Sequence, residues 1–454
     1  MRDLAFIGFI AAILALGLKR PFLFALAYAY VDIVSPQRLS YYLLNSIPLS
    51  LIVAGLAAGG WLLADARRGF SVAGRQWLML LLLAYAGATT YYADLHVEAL
   101  TKWDWAWKAL AFAIFLPLAL RTKLRIEAFL LFMLLSAGTI IIVGGLKTAL
   151  AGGGYGALNL MVSNNSGLYE GSILSTFAIA SIPIILWFAR FGTIFPPDWR
   201  VKLFCGALIF ACLLLPVGAE ARTGLVCIGV LAILMLRDVK RRFLYICAVG
   251  FLGLAAIPFL PTSFTDRMQT IQGYQADQSA GTRLAVWGWT LQYVQNKPLG
   301  GGFEAYRQNR IQVTTVNNQA RGDVQVVSAN TEADEGRAWH SAYFEMLGEQ
   351  GWPGLFLFLL IHGIGLVRME ILRRRYARRA DDMAWVAPLA TALQHFQIIY
   401  LVGSLFVATA FQPFIWMAIA VQIGFDRWVT RQEHATRPQA RNFVPKREAP
   451  EPVA

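Results

Sequence analysis

The chain has 454 residues, of which 57% are hydrophobic and only 15% are charged, and its mean hydropathy is +0.52. Because an average soluble protein carries about 25% charged residues, this composition excludes a soluble fold of this size. The net charge of +13 would suit nucleic-acid binding, but most Lys and Arg residues cluster between apolar segments, as is typical of a membrane protein.

Apolar segments long enough to cross a lipid bilayer recur along the chain, and they predict an all-α polytopic membrane protein. We predict about 12 or 13 spans, at residues 4–18, 21–34, 43–64, 76–92, 106–120, 126–147, 172–189, 203–217, 223–236, 243–260, 342–367, 384–403 and 408–425. The first two are short enough to form a hairpin or to lie shallowly in the membrane. Lys and Arg cluster after every second segment, which predicts that those ends face the cytoplasm.

A polar stretch at residues 261–340 separates two spans on the face opposite the basic clusters. Long loops often carry function, so we expect a large, partly helical periplasmic loop that carries part of the active site, with a helix at residues 277–295. The chain then divides into an N-terminal transmembrane bundle (1–260), this loop (261–340), C-terminal transmembrane helices (341–426) and a disordered basic cytoplasmic tail (427–454).

Some Lys and Arg residues lie outside the basic clusters, and several of them are expected to bind an anion. Arg222 follows a short connection between two spans, which predicts a guanidinium at the outer end of a helix, where the helix dipole also favours phosphate. Arg283 lies one helical turn before Trp287, whose ring would hold the guanidinium ready for bidentate phosphate contacts. The alternative for both arginines is an anchor at the lipid headgroup level.

His340 stands at the end of the polar stretch and at the start of the next span. The positive end of that helix and the nearby Arg337 both disfavour imidazolium, so a neutral ring able to act as a general base is expected. A structural role for this histidine is the alternative. Glu345 and Glu349 lie one turn apart, and we interpret them as forming a structural ion pair with a cation such as an Arg of the loop, with catalysis as the alternative.

The sequence predicts neither a metal site nor a disulfide. All four cysteines lie in apolar segments, where thiols usually behave as small hydrophobic groups. The acidic residues near 332–335 lack the second acidic cluster or pair of histidines that would complete a metal site.

Three motifs, in this order, resemble those of the O-antigen ligase and polymerase superfamily. They are Ala-Arg-Thr-Gly at residues 221–224, Arg283 and Trp287 with the Pro-Leu-Gly-Gly-Gly turn at residues 298–302, and His340-Ser341 with the glycines of residues 348–354. The resemblance covers about residues 150–425 and implies a helical GT-C-like fold. The first residues and residues 35–40 are further similar to a branch of O-glycosylation ligases found alongside exosortase systems.

The resemblance implies a chemistry for these residues. Members with an established role join a glycan carried on undecaprenyl pyrophosphate to lipid A-core at the periplasmic face, without a metal, a nucleotide or another cofactor. In this chain Arg222 and Arg283 would neutralise the pyrophosphate, and His340 would deprotonate the acceptor hydroxyl, with inversion at the anomeric carbon. Secondary candidates for the site are Arg38, Lys147, Arg337, Trp287 and Glu349.

The sequence therefore predicts a multi-pass O-antigen ligase of the bacterial inner membrane. Its partners would be the lipid-linked donor, the lipid A-core acceptor and membrane lipids, and not nucleic acid. A protein O-oligosaccharyltransferase or an O-antigen polymerase of the same superfamily is the first alternative. A transporter of lipid-linked sugars is the second, but such proteins often have internal repeats, and no clear repeat is found.

Overall fold

The computed structural model describes residues 2–64, 72–153, 168–237, 278–321 and 324–436. These residues are mostly helical, as predicted, and they include a two-stranded β-hairpin that was not predicted. The predicted span at residues 243–260, the first part of the polar stretch and most of the predicted tail lie outside the described residues.

Each predicted span within the described residues overlaps a helix. The N-terminal helices are α1 (Arg2–Lys19), α2 (Phe22–Val34), α3 (Pro36–Leu39), α4 (Leu49–Ala64), α5 (Gly74–Tyr91), α6 (His96–Ala119), α7 (Lys123–Ala151), α8 (Gly171–Phe191), α9 (Trp199–Gly218) and α10 (Arg222–Leu236). The later helices are α11 (Gln278–Asn296), α12 (Ala342–Tyr376), α13 (Val386–Gly403) and α14 (Pro413–Thr436).

Five of the described helices are long and apolar enough to cross a membrane, namely α7, α8, α9, α12 and α13. Three shorter helices, α2, α4 and α10, are also apolar. Large apolar side chains such as Leu203 and Phe210 are exposed on α9, which suits contact with lipid tails. The chain is therefore a multi-pass membrane protein, while the full number of spans remains a prediction.

Helix α13 packs against α8, α10 and α12. Phe177 of α8 stacks against Tyr400 of α13 and meets the edge of Phe414 on α14. Such aromatic contacts add to the packing energy that joins helices when lipid surrounds them. Because α13 borders both α10 and α12, it links the helix that begins at Arg222 with the helix that follows His340.

A break in α12 receives the glycine-rich turn at residues 298–302. Gly351 has φ +63° and ψ −166°, so the helix is interrupted there. The carbonyl oxygen of Gly348 accepts a hydrogen bond from Gly301 N–H at 3.0 Å, and that of Glu349 accepts one from Gly302 N–H at 2.9 Å. A Cβ on Gly351 would collide with the carbonyl oxygen of Pro298. Two of the sequence motifs thus fold against each other.

A hydrogen-bond cluster at Asp94, between α5 and α6, holds the polar segment on the bundle. Its carboxylate accepts hydrogen bonds from the hydroxyl of Tyr293 at 2.5 Å, from Nζ of Lys297, and from Nε2 of Gln308 at 3.0 Å. Tyr293 and Lys297 lie at the end of α11, and Gln308 ends a short 3₁₀ helix at Ala305–Gln308. Both ends of the 298–302 turn are therefore fixed.

The β-hairpin follows the 3₁₀ helix and consists of β1 (Arg310–Arg321) and β2 (Val324–Glu335). The strands are antiparallel, with Arg310 opposite Glu335. Buried Asn309 closes the open end of the hairpin, because its Nδ2 donates to the carbonyl of Arg337 at 2.6 Å and its Oδ1 accepts from the N–H of Arg337 at 3.0 Å. The hairpin thus returns the chain to the segment that leads to His340.

Candidate active site

His340 lies between β2 and α12 in an unusual backbone conformation, with φ +47°. Residues other than glycine rarely adopt this left-handed region, and those that do are often found at functional sites. Trp339 and Ser341 on either side are buried, whereas the side chain of His340 is exposed. The backbone therefore presents the imidazole at the surface of the protein from a fixed support.

Trp287 and Trp339 provide that support. The indole N–H of Trp287 donates to the carbonyl oxygen of Trp339 at 2.9 Å, and the indole N–H of Trp339 donates to Oγ1 of Thr290 at 2.8 Å. Trp287 also stacks on Phe344, with ring centroids 4.8 Å apart and planes 4° from parallel. The sequence led us to expect Trp287 to steady Arg283, and these contacts show it steadying the segment before His340.

The electrostatic surroundings of His340 favour a neutral ring. Partial desolvation by the surrounding protein and the positive charges of Arg283 and Arg337 lower the pKa of His340 below its ordinary value of 6.5, while Glu170 acts in the opposite direction. These three charges therefore lie close enough to His340 to act on it. A neutral imidazole near pH 7 is able to accept a proton.

Glu170 was not singled out in the sequence. It is the N-cap residue of α8, where its Oε2 accepts a hydrogen bond from the N–H of Ile173 at 2.7 Å. An acidic residue directly before an apolar segment is a known signal for a helix start. The sequence carries that signal, but it does not indicate that this helix start faces His340.

Arg222 is the first residue of α10, as predicted, and the preceding helix α9 ends at Gly218. The first turns of α10 pack closely on the helices beside them, because a Cβ on Gly224 would meet Ser175 of α8 at 2.9 Å. Farther along α10, Sγ of Cys227 lies 3.0 Å from the position of a Cβ on Gly403, at the end of α13.

The end of α13 also contacts the start of α12. The N–H of Ala342 donates to the carbonyl oxygen of Ser404 at 2.8 Å, and Ser404 follows directly after α13. Since Ala342 is two residues after His340, and the start of α10 packs beside Gly403, Arg222 and His340 lie at the same end of the bundle. Tertiary packing thus brings all three motif residues, Arg222, Arg283 and His340, to this end.

Lys147 and Arg38 are also at this end of the bundle. Lys147 is exposed on the last turns of α7, and Gly153, just beyond α7, packs against Gly218 before the start of α10. Arg38 belongs to α3, which follows α2, and the carbonyl of Val34 at the end of α2 accepts a hydrogen bond from the hydroxyl of Tyr169 at 2.6 Å. Tyr169 is adjacent to the α8 N-cap residue that acts on His340.

Glu349 is buried in an ion cluster beneath the site. Nζ of Lys102 on α6 lies 2.6 Å from Oε1 of Glu345 and 2.6 Å from Oε1 of Glu349. The expectation of a structural ion pair fits this geometry, but the suggestion of an Arg from the loop as the partner was wrong. Arg337 pairs with Asp334 instead. The correct partner could not be identified because Lys102 lies on a helix distant in sequence.

A cavity of about 690 Å³ opens above this cluster, beside the residue that precedes His340. Among its lining residues are Arg38, Lys102, Tyr306, Arg307, Trp339 and Thr409. The rings of Tyr306 and Trp339 meet edge to face at 5.3 Å. In the described part of the chain, no group of three His, Cys, Asp or Glu side chains is placed to hold a metal ion. The lining offers cations, carboxylates, hydroxyls and aromatic faces to a polar ligand.

Comparison with known families separates the chain into two parts. Residues 207–359 match a family model described as O-antigen ligase, and residues 1–193 match a family of unknown function, DUF5935. A search of curated proteins found no match. The first match includes Arg222, Arg283 and His340, whereas Arg38 and Lys147 fall within the second.

Proposed function

This chain belongs to the O-antigen ligase superfamily, and we propose that it is an O-antigen ligase, an inverting glycosyltransferase that requires no metal. It moves a glycan from undecaprenyl pyrophosphate to lipid A-core at the periplasmic face of the bacterial inner membrane. The loop that carries His340 then faces the periplasm, and the basic clusters face the cytoplasm.

In the proposed step, the imidazole of His340 takes the proton of an acceptor hydroxyl as its oxygen attacks the anomeric carbon of the donor sugar. The bond between that carbon and the pyrophosphate oxygen breaks, and undecaprenyl pyrophosphate leaves with the electron pair. Arg222 and Arg283 neutralise the charge that develops on the leaving group. Attack opposite the leaving group inverts the anomeric configuration.

The observation that carries this proposal is that His340, exposed on a backbone at φ +47°, lies at the end of the bundle where α10 begins at Arg222, with Arg283 close enough to act electrostatically on its ring. A cation beside a base favours the neutral, proton-accepting form before the donor binds. A bound diphosphate would then add negative charge beside the ring and offset this effect, so imidazolium can form during transfer. The arginines therefore favour a neutral His340 before the donor binds, and the bound diphosphate allows His340 to become protonated during transfer.

The test is glycan transfer by the purified protein in lipid nanodiscs, with a lipid-linked donor and lipid A-core as acceptor. We expect His340→Ala and Arg222→Ala each to lower the rate by about 10²-fold or more. Arg310→Ala is the matched control, because Arg310 is highly exposed on the hairpin and pairs with Glu335, and it should remain active. Full activity of the His340 variant would exclude the proposed mechanism.

A second candidate keeps this chemistry but changes the acceptor to a protein Ser or Thr, or to the growing glycan. The support for it is that residues 1–193 match a separate family. A different N-terminal half can recognise a different acceptor. Loss of a glycoprotein in a deletion strain with unchanged lipopolysaccharide would select a protein acceptor. If the protein moved the donor across the membrane of liposomes without changing it chemically, the result would instead favour a transporter.

A further inference from the structure

A second cavity, of about 550 Å³, lies in the N-terminal part of the chain. Its lining includes Arg2, Asp32, Gln37, Tyr41, Trp105 and Lys108. We call it the N-terminal cavity, and we call the 690 Å³ cavity beside Trp339 the transfer cavity. Apart from Pro413, the residues that line the N-terminal cavity fall within residues 1–193, for which the superfamily match provides no role.

Three side chains of the N-terminal cavity each have a buried polar atom without a hydrogen-bond partner among the described residues. These atoms are Nε of Arg2, Oδ2 of Asp32 and Oε1 of Gln37. Buried polar atoms in folded proteins are nearly always hydrogen-bonded, so each exception calls for an explanation. Three exceptions around one cavity indicate a ligand that both donates and accepts hydrogen bonds.

The wall of the N-terminal cavity is held in place before any ligand binds. The carboxylate of Asp3 accepts hydrogen bonds from Oγ of Ser40 at 2.8 Å and from the N–H groups of Tyr41 at 3.0 Å and Tyr42 at 3.1 Å. The guanidinium of Arg2 lies over the ring of Tyr41, 4.0 Å from its centroid. The residues after α3 therefore form a fixed surface, which lowers the entropy cost of binding.

The two cavities adjoin, because Arg38, Asp104 and Trp105 line both of them. Asp104 and Trp105 lie on α6, two and three residues after Lys102, which lines the transfer cavity. An elongated polar ligand can therefore extend from the neighbourhood of His340, past Arg38, into the N-terminal cavity. Such a path is of use to a substrate with several repeating polar units.

The chemistry of the N-terminal cavity favours a saccharide. Sugar hydroxyls both donate and accept hydrogen bonds, so they can satisfy a guanidinium, a carboxylate and an amide oxygen together. The rings of Tyr41 and Trp105 offer apolar faces against which a sugar ring can pack. Three of the charged lining residues are cationic, Arg2, Arg38 and Lys108, and two are acidic, Asp32 and Asp104. This small charge excess suits neutral or acidic sugars.

We propose that the N-terminal cavity is a saccharide subsite, which holds sugar units beyond those that react at His340. This inference rests on the proposed glycosyltransferase function and assigns a role to residues 1–193. The bound sugars belong either to the donor glycan or to the acceptor. Both sources present the same chemistry to the cavity, and transfer kinetics distinguish them.

The test measures saccharide binding without transfer. Maltohexaose, chitohexaose and hexagalacturonate are titrated separately into the full-length protein in nanodiscs. We expect the wild type to bind at least one of them, and we expect Gln37→Ala and Tyr41→Ala each to weaken that binding by about tenfold, as for the loss of a single polar or stacking contact. Tyr92→Ala is the matched control, because Tyr92 is 80% exposed and does not line the cavity.

The outcomes separate this inference from the proposed function. Binding that persists in His340→Ala supports the subsite even if no transfer is ever detected. In transfer assays of Gln37→Ala and Tyr41→Ala, a KM raised for the acceptor alone assigns the bound sugars to the acceptor. A KM raised for the donor alone assigns them to the donor. No binding of any of the three saccharides, or equal weakening by Tyr92→Ala, overturns the proposal. Phosphatidylglycerol that copurifies with the wild type and is lost in Gln37→Ala, without saccharide binding, would show a lipid headgroup site instead.

Discussion

Replacement of Lys102 by methionine tests the packing beneath the candidate site most directly. The Nζ atom of Lys102 lies 2.6 Å from carboxylate oxygens of both Glu345 and Glu349, and the three side chains are at most 9% exposed. Methionine has a similar length and is apolar, so Lys102→Met leaves two buried carboxylates without their cation. We expect this change to destabilise the protein strongly.

The expected magnitude follows from the burial of the cluster. Loss of one partner from a buried ion pair costs roughly 3–5 kcal/mol, and here one ammonium serves two carboxylates. Backbone hydrogen bonds hold the two carboxylates in place, so that they cannot easily rotate toward solvent. Glu345 accepts a hydrogen bond from the N–H of Ala410 at 2.9 Å, and Glu349 accepts one from the N–H of Glu304 at 3.1 Å. We therefore expect the upper part of that range.

The assay is thermal unfolding in one detergent, followed by tryptophan fluorescence. Lys108→Met is the matched control, because Lys108 pairs with Asp104 at side-chain exposures of 18% and 70% and exposed pairs contribute about 0–1 kcal/mol. Adding Glu345→Gln and Glu349→Gln to Lys102→Met should restore much of the lost stability, since all the charges are then removed together. Unfolding of Lys102→Met at the wild-type temperature would refute the reasoning.

Two further predictions concern the break in α12 and the base. Gly351→Ala should lower the free energy of unfolding by roughly 1–3 kcal/mol, because φ +63° suits glycine and a Cβ there would collide with the 298–302 turn; Gly363→Ala, which meets no atom within 4 Å, is the control. When the transfer rate is measured as a function of pH, Arg337→Gln should raise the pKa of His340 and move the acidic limb of the pH–rate profile to higher pH. Glu170→Gln should lower that pKa further and move the limb to lower pH.

Each of these predictions has a clear contrary result. Equal unfolding temperatures for Gly351→Ala and Gly363→Ala would contradict the docking of the 298–302 turn into α12. Displacements of the same sign for Arg337→Gln and Glu170→Gln would show that the acidic limb does not report the protonation of His340. The two charge variants thus check each other, because a general loss of activity would leave the position of the limb unchanged.

The sequence predicted the elements better than their contacts. Apolar segments are readable because a membrane demands continuous runs of apolar residues in hydrogen-bonded helices. The hairpin was missed because its strands, rich in Thr, Asn and Gln, lack a clear alternation of apolar and polar residues. The sequence indicated that Glu345 and Glu349 need a cation, but it could not identify Lys102, because no local pattern indicates that this residue of α6 faces α12.

For the candidate site, too, the sequence indicated residues but not their surroundings. Three motifs indicated Arg222, Arg283 and His340, and their catalytic roles remain predictions for the variants to test. The positive φ of His340 and the approach of Glu170 had no counterpart in the sequence pattern. Both depend on where the tertiary structure places the segment before α12 and the start of α8.

By itself, the amino-acid sequence determined the membrane class of this protein, the positions of most helices and the supply of cationic and titratable groups. The tertiary structure decided which of those groups meet. It paired Lys102 with two carboxylates, set the glycine turn into the break of α12, and left three buried polar atoms around the N-terminal cavity without a partner among the described residues. The physical reason is that apolar burial has little directional requirement and follows composition. Ion pairs and hydrogen bonds, in contrast, act over a few ångströms between residues that only the packed bundle brings together.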